Sequence, residues 1–171
     1  TVLVLTAGLG GSLAIGTQAR PSLFDLSAAR APPLYAAVVE ATERVVLGGA
    51  DGVTPAVEVP LDGGRLRADL RRLAAAHGYT SAAVALAHAY AYPDHEVAAA
   101  RIAAEEGYTV TTSAGAMPTV GLVPRATTAV VDAYLTPAIR GYVATFRAGF
   151  DDPSLARVDV QFMQSDGGLC T

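Results

Sequence analysis

Ser165, Asp166, Gly167 and Gly168 follow a stretch, Val158-Asp159-Val160-Gln161-Phe162, in which apolar and polar residues alternate. Alternation with period two is the pattern of a half-buried strand, so the four residues stand just beyond a strand end. There a hydroxyl and a carboxylate can hydrogen-bond a ligand, and two glycines leave backbone N–H groups free to approach it. The same letters also make an ordinary Gly-Gly turn. A second group is Thr17, Gln18 and Arg20, a short polar loop between apolar segments. A guanidinium fixed there can take a carboxylate or phosphate through two parallel hydrogen bonds, or it can tie down its own loop. Arg125 with Thr127 and Thr128 opens a long helical pattern. Hydroxyl N-capping and anion binding at a helix N-terminus use the same N–H groups, so both readings stand. Asp132, roughly one turn on, reads as a solvated or arginine-paired aspartate.

Other chemistry is excluded. His77 ends a helix, and His88 closes a strand as a satisfied core or rim histidine. His95 and Glu96 lie in the first turn of a helix, where the dipole favours a carboxylate. No histidine pair has ligand spacing on one helix face, no Ser-His-Asp set is present, and no metal residue is assigned. All 12 basic residues are arginine, which rules out a Schiff-base or P-loop lysine within these residues. A net charge of −4 without a basic cluster argues against nucleic acid. No apolar run has the length of a membrane span. The single cysteine, Cys170, allows no internal disulfide and suits a reducing compartment, so the expected location is cytoplasmic. The start, Thr1-Val2-Leu3-Val4-Leu5, lies inside a strand pattern and is no signal peptide. The chain reads as a piece of a larger protein.

These residues must be positioned by alternating strands and helices. Val2–Leu5 is the first strand, followed by Gly8-Leu9-Gly10-Gly11. Glu43–Leu47 and Ala56–Pro60 flank Gly48-Gly49-Ala50-Asp51-Gly52, a hairpin signal. Asp62 caps a helix carrying Leu66, Leu70, Leu73 and His77 and closed by Gly78. Ala82–Ala87 is a continuous apolar run, as in a strand covered on both faces. Pro93-Asp94 opens a helix closed by Gly107, and Tyr108–Thr112 is the next strand. Thr127–Phe150 is a long helix that Pro137 must kink or restart. The expected fold is α/β: one domain over residues 1–171, a mostly parallel sheet with helices on both faces and one hairpin insertion.

Four blocks carry a resemblance to the N-terminal region of the large 5-oxoprolinases of the hydantoinase/oxoprolinase family. They are Ile15–Leu26, His88–Glu96, Val123-Pro124-Arg125 with Asp132–Ile139, and Phe162–Leu169. Asp166 and Pro124-Arg125-Ala126 favour the oxoprolinase branch over hydantoinase A or acetone-carboxylase-like subunits. The resemblance implies part of an actin-like ATPase type fold. It also implies an activity in the parent protein: ATP-dependent opening of 5-oxo-L-proline to L-glutamate. The stable lactam is activated by phosphorylation of its carbonyl oxygen, with Mg2+ and cationic groups positioning the phosphoryl group. The two Asp-x-Gly-Gly-Thr-type phosphate loops of such enzymes fall outside these residues. The piece is therefore expected to be inactive alone, to bind no ATP or Mg2+ itself, and to contribute scaffold and part of a site wall. The substrate-contact candidates are Thr17, Gln18, Arg20, Arg125, Ser165, Asp166, Gly167 and Gly168. The loop at residues 17–20 and the turn at 165–168 are expected on one sheet rim. Expected partners are the remainder of the parent chain, which should cover an apolar face left exposed here, and the small-molecule substrate; a homodimer is a further candidate. The competing reading is a non-catalytic α/β domain that binds an anion or a partner.

Overall fold

The computed structural model describes residues 1–17, 19, 22, 24–25, 27, 31–48, 52–149 and 160–170. These form two compact units, Thr1–Pro137 and Ala138–Thr171. The first is built on a four-stranded parallel sheet. Its strands are β1 (Val2–Thr6), β2 (Ala37–Ala41), β5 (Ser81–Ala85) and β6 (Thr109–Thr112), in the order β2-β1-β5-β6. Every residue of β1 and β5 is buried, which is why both read as unbroken apolar runs.

Side chains of alternate strand residues leave opposite faces, and the two cores follow that parity. Val2, Val4, Ala82 and Val84 pack with Leu66 and Leu70 of α2 (Gly63–His77) and with Ala99, Ile102 and Ala103 of α3 (Asp94–Glu105). Leu3, Leu5, Ala83 and Ala85 pack with Ala126, Ala129, Val130 and Ala133 of α5 (Leu122–Ala148). The alanines at 126, 129 and 133 form a helical stripe without bulk, which lets α5 lie close on the alanines of β5. Helices thus cover both faces, as expected. On its outer side α5 exposes Val131, Tyr134 and Leu135, spaced as one helical face.

Local signals hold where they carry a mechanism. Asp62 Oδ1 accepts from the Arg65 N–H at 2.9 Å and caps α2. Gly78 ends it with φ 65°, a left-handed conformation that suits glycine. The predicted hairpin is β3 (Arg44–Gly48) paired antiparallel with β4 (Thr54–Val59); residues 49–51 at its tip lie outside the described residues. Short helices α1 (Ser12–Ile15) and α4 (Ser113–Ala116) follow β1 and β6.

Three elements differ from the sequence reading. The periodicity assigns nothing to residues 37–41, yet β2 is a full strand whose register to β1 is continuous. Helix α5 starts at Leu122 instead of Thr127 and runs through Pro137. Pro124 lies in its first turn, where no N–H is needed. The terminal strand is a two-residue piece, β7 (Phe162–Met163), paired antiparallel with β8 (Leu169–Cys170) in a sheet of its own. It is not a strand of the parallel sheet, and Val158 and Asp159 lie outside the described residues.

Candidate functional site

Strand order fixes where a parallel sheet opens. Chain connections leave β1 toward β2 on one side and reach β5 on the other, so the crevice lies beyond the carboxyl ends of β1 and β5. Thr6 is the last residue of β1, and Leu86 and Ala87 follow β5. Thr6 parity points it to the α3 face.

A chain of hydrogen bonds crosses that point. The Ala87 N–H donates to Thr6 Oγ1 at 2.9 Å, and the Thr6 hydroxyl donates to Glu43 Oε1. Glu43 Oε2 pairs with His95 Nδ1 at 2.9 Å. The Glu43 side chain is wholly buried, while that of His95 is 11% exposed. The Tyr92 ring meets His95 edge-on, with centroids 5.3 Å apart, and fixes the imidazole plane. Glu43 comes from the turn before β3, and the next residue, Arg44, donates to Ala7 O at 2.9 Å. The hairpin is thereby anchored to the end of β1 at two points.

Glu96 ties the adjacent strand ends together. It is 1% exposed and accepts from Leu86 N (3.0 Å), Ser113 Oγ (3.0 Å) and Ala114 N (2.7 Å). Its place is therefore not explained by the helix dipole; it clamps the segment after β5 to the segment after β6. On the α5 side, Arg125 is fully buried. Its Nη2 donates to Leu86 O at 2.7 Å, and its guanidinium carbon lies 5.8 Å from the Tyr90 ring centroid. Nε and Nη1 have no hydrogen-bond partner. Burial lowers the Arg125 pKa from its ordinary value, with Glu96 and Tyr90 opposing. His88 has φ 58° and a buried Nδ1 without a partner, so it is not the satisfied histidine that its position suggests.

The other sequence candidates fall as follows. Arg125 lies three residues inside α5, which starts at Leu122, and is fully buried. Thr127 and Thr128 are not caps; their hydroxyls donate to Val123 O (2.8 Å) and Pro124 O (3.1 Å). Thr17 shares a pocket of about 530 Å³ with Leu13, Pro124, Thr127 and Thr128, which brings its loop to the first turns of α5. Gln18 and Arg20 lie outside the described residues. Asp132 is exposed, as the solvated reading has it, and accepts from Thr111 Oγ1 at 2.5 Å.

Ser165, Asp166, Gly167 and Gly168 form the exposed tip of the β7–β8 hairpin in the second unit. Their glycine N–H groups are not free. Gly167 donates to Gln164 O at 3.0 Å and Gly168 donates to Asp166 Oδ1 at 2.8 Å. The Asp-Gly-Gly pattern here closes a turn on itself. Sequence reasoning passed over Thr6, Glu43 and Glu96, since each is a common residue whose partners come from distant segments. The one available signal was Glu43 and Glu96 at the edges of apolar runs.

This is a parallel α/β domain with a buried polar hydrogen-bond cluster at its switch point. Residues 1–107 match the hydantoinase/oxoprolinase N-terminal region and residues 125–171 match hydantoinase/oxoprolinase. The chain belongs to the hydantoinase/oxoprolinase family. It is 43% identical over 181 residues to 5-oxoprolinase 1 of Arabidopsis thaliana, covering 98% of this chain and 14% of that protein. To 5-oxoprolinase of Saccharomyces cerevisiae it is 37% identical, covering 97% and 14%. The chain thus spans about one-seventh of these relatives' length. An acetone carboxylase structure, nucleotide-free, superposes with a TM-score of 0.76 at 19% identity, over 98% of this chain and 25% of that one. ATP-dependent caprolactamase from Pseudomonas jessenii gives a TM-score of 0.76 at 24% identity, over 98% and 24%. These two likenesses establish the fold.

Proposed function

We propose that this chain is part of an ATP-dependent 5-oxoprolinase, which converts 5-oxo-L-proline, ATP and water to L-glutamate, ADP and phosphate. The observation that carries the reading is 43% identity to a 5-oxoprolinase maintained over 98% of the chain. A lactam resists hydrolysis because its nitrogen lone pair is delocalised into the carbonyl. Phosphorylating the carbonyl oxygen supplies a leaving group and an electrophilic carbon. The phosphate-handling loops belong to the rest of the parent protein, and the enzyme works in the cytoplasm.

Among the described residues no group of three or more His, Cys, Asp or Glu stands where it could hold a metal ion. No helix of the described residues is long and apolar enough to cross a membrane. Thr17, Gln18 and Arg20 are the proposed contacts for the substrate carboxylate. Ser165, Asp166, Gly167 and Gly168 contribute side-chain oxygens and shape rather than free N–H groups, and Arg125 acts by holding the Leu86 carbonyl. The face formed by Val131, Tyr134 and Leu135 docks on the remainder of the parent chain, with a second copy of the enzyme as the alternative.

The test is made on the full-length protein. ATP cleavage should depend on 5-oxo-L-proline and yield one glutamate per ADP. ATP cleavage that answers to a hydantoin, to caprolactam or to acetone with bicarbonate, and not to 5-oxoproline, transfers the chain to another branch of the family. The 171-residue chain alone should show no turnover.

A further inference from the structure

The hydrogen bonds at the end of β1 orient one imidazole. The Thr6 hydroxyl oxygen accepts from Ala87 N–H, so its hydrogen is given to Glu43 Oε1. Glu43 Oε2 lies 2.9 Å from His95 Nδ1. With Glu43 as the acceptor of that bond, a neutral imidazole carries its hydrogen on Nδ1 and its lone pair on Nε2.

The imidazole is not sealed: its side chain keeps 11% exposure. A carboxylate against Nδ1, a hydroxyl bonded to that carboxylate and an aromatic edge against the ring make an oriented base. It stands at the switch point, where a ligand of a parallel sheet sits.

We propose that His95 is a proton acceptor in the crevice, positioned by Glu43 and Thr6, and that its partner is the water that attacks the activated lactam carbonyl. This rests on the function proposed above. In the step, an O–H bond of water breaks and an N–H bond forms at Nε2. The electron pair stays on oxygen and forms the bond to the carbonyl carbon. Glu43 balances the imidazolium charge. As the C–N bond breaks, its electron pair goes to the lactam nitrogen, which takes the proton back from His95. The nitrogen also takes the proton of the new hydroxyl, whose oxygen forms the C=O bond. A second water hydrolyses the acyl phosphate so formed, releasing phosphate.

The experiment uses the full-length enzyme with 5-oxo-L-proline and ATP, measuring glutamate and ADP separately. His95→Gln should lower glutamate formation about 10²–10⁴-fold, while a first-turnover burst of ADP, one per active site, is retained because phosphorylation precedes water attack. Loss of the ADP burst together with glutamate, or loss of neither, overturns the assignment. A second measurement needs no variant. Diethylpyrocarbonate, which acylates an open imidazole nitrogen, should label wild-type His95 by peptide mass mapping, and substrate with ATP should slow the labelling. Unlabelled His95, or labelling that bound substrate leaves unchanged, also overturns it. Wild-type enzyme that opens no lactam sinks the functional reading instead, and the accessibility of Nε2 is then judged on the labelling alone.

Discussion

Thr6, at the end of β1, donates its hydroxyl hydrogen to Glu43, whose side chain is entirely buried. The two residues are 37 positions apart, and the bond welds the sheet end to the base of the β3–β4 hairpin. The same hydroxyl oxygen receives the Ala87 N–H at 2.9 Å. One small side chain therefore satisfies a buried carboxylate and a backbone donor.

Thr6→Val keeps the shape and removes both functions. It leaves a buried N–H and a carboxylate oxygen short of a partner, at a cost of about 1–3 kcal/mol. Thr6→Ser retains both bonds and should lose well under half as much. Denaturant midpoints at constant m-value check this; equal losses for Val and Ser would show that the methyl group, not the hydroxyl, matters.

Glu96→Gln replaces an acceptor of three hydrogen bonds by a group with one acceptor oxygen. A donor is then set against Leu86 N–H and Ser113 Oγ, or against Ala114 N–H. The expected loss is about 1–3 kcal/mol. Amide exchange at Leu86 and Ala114 should accelerate more than exchange in α2, because the clamp holds the strand ends and not the whole unit. Uniform acceleration throughout would refute the local clamp.

Arg125→Met and Arg125→Ala separate a structural arginine from a ligand-binding one. Arg125 is buried with two unpartnered nitrogens, so a methionine of similar bulk should cost little, within about 1 kcal/mol, and can stabilise. Alanine leaves a cavity and should cost about 2–5 kcal/mol. If Arg125→Met keeps its melting temperature but abolishes turnover in the full-length enzyme, Arg125 has a direct role in the chemistry that its burial conceals.

Glu106 links α2 to the end of α3. Arg71 and Arg67 donate to it at 2.9 Å and hold its carboxyl below the ordinary value. A carboxylate with a depressed folded pKa contributes stability that is present above its unfolded value and is lost as pH falls through the folded one. Glu106→Gln should therefore lower the melting temperature near neutrality, with the gap to wild type closing in acid. A gap that persists at low pH would place the effect in packing rather than charge.

Much of this protein was legible in its residues, for a local reason. The Asp62 cap, the Gly78 stop and the unbroken apolar run of β5 are each set by neighbours within a few positions. Parity along β1 and β5 already sorts Val2 and Val4 from Leu3 and Leu5, and so fixes helices on both faces. The family could be read from four blocks of sequence. Tertiary structure decided the rest. β2 becomes a strand because β1 offers it a parallel edge, and Ala37–Ala41 by themselves have too little pattern to announce it. Asp166-Gly167-Gly168 resembles a ligand loop in letters, but its N–H groups are spent inside the turn. Thr6, Glu43 and His95 look unrelated along the chain, and Glu96 looks like a helix-terminus charge. They acquire chemistry only when the carboxyl ends of β1 and β5 meet, because hydrogen bonding and burial depend on distances that a one-dimensional pattern does not contain.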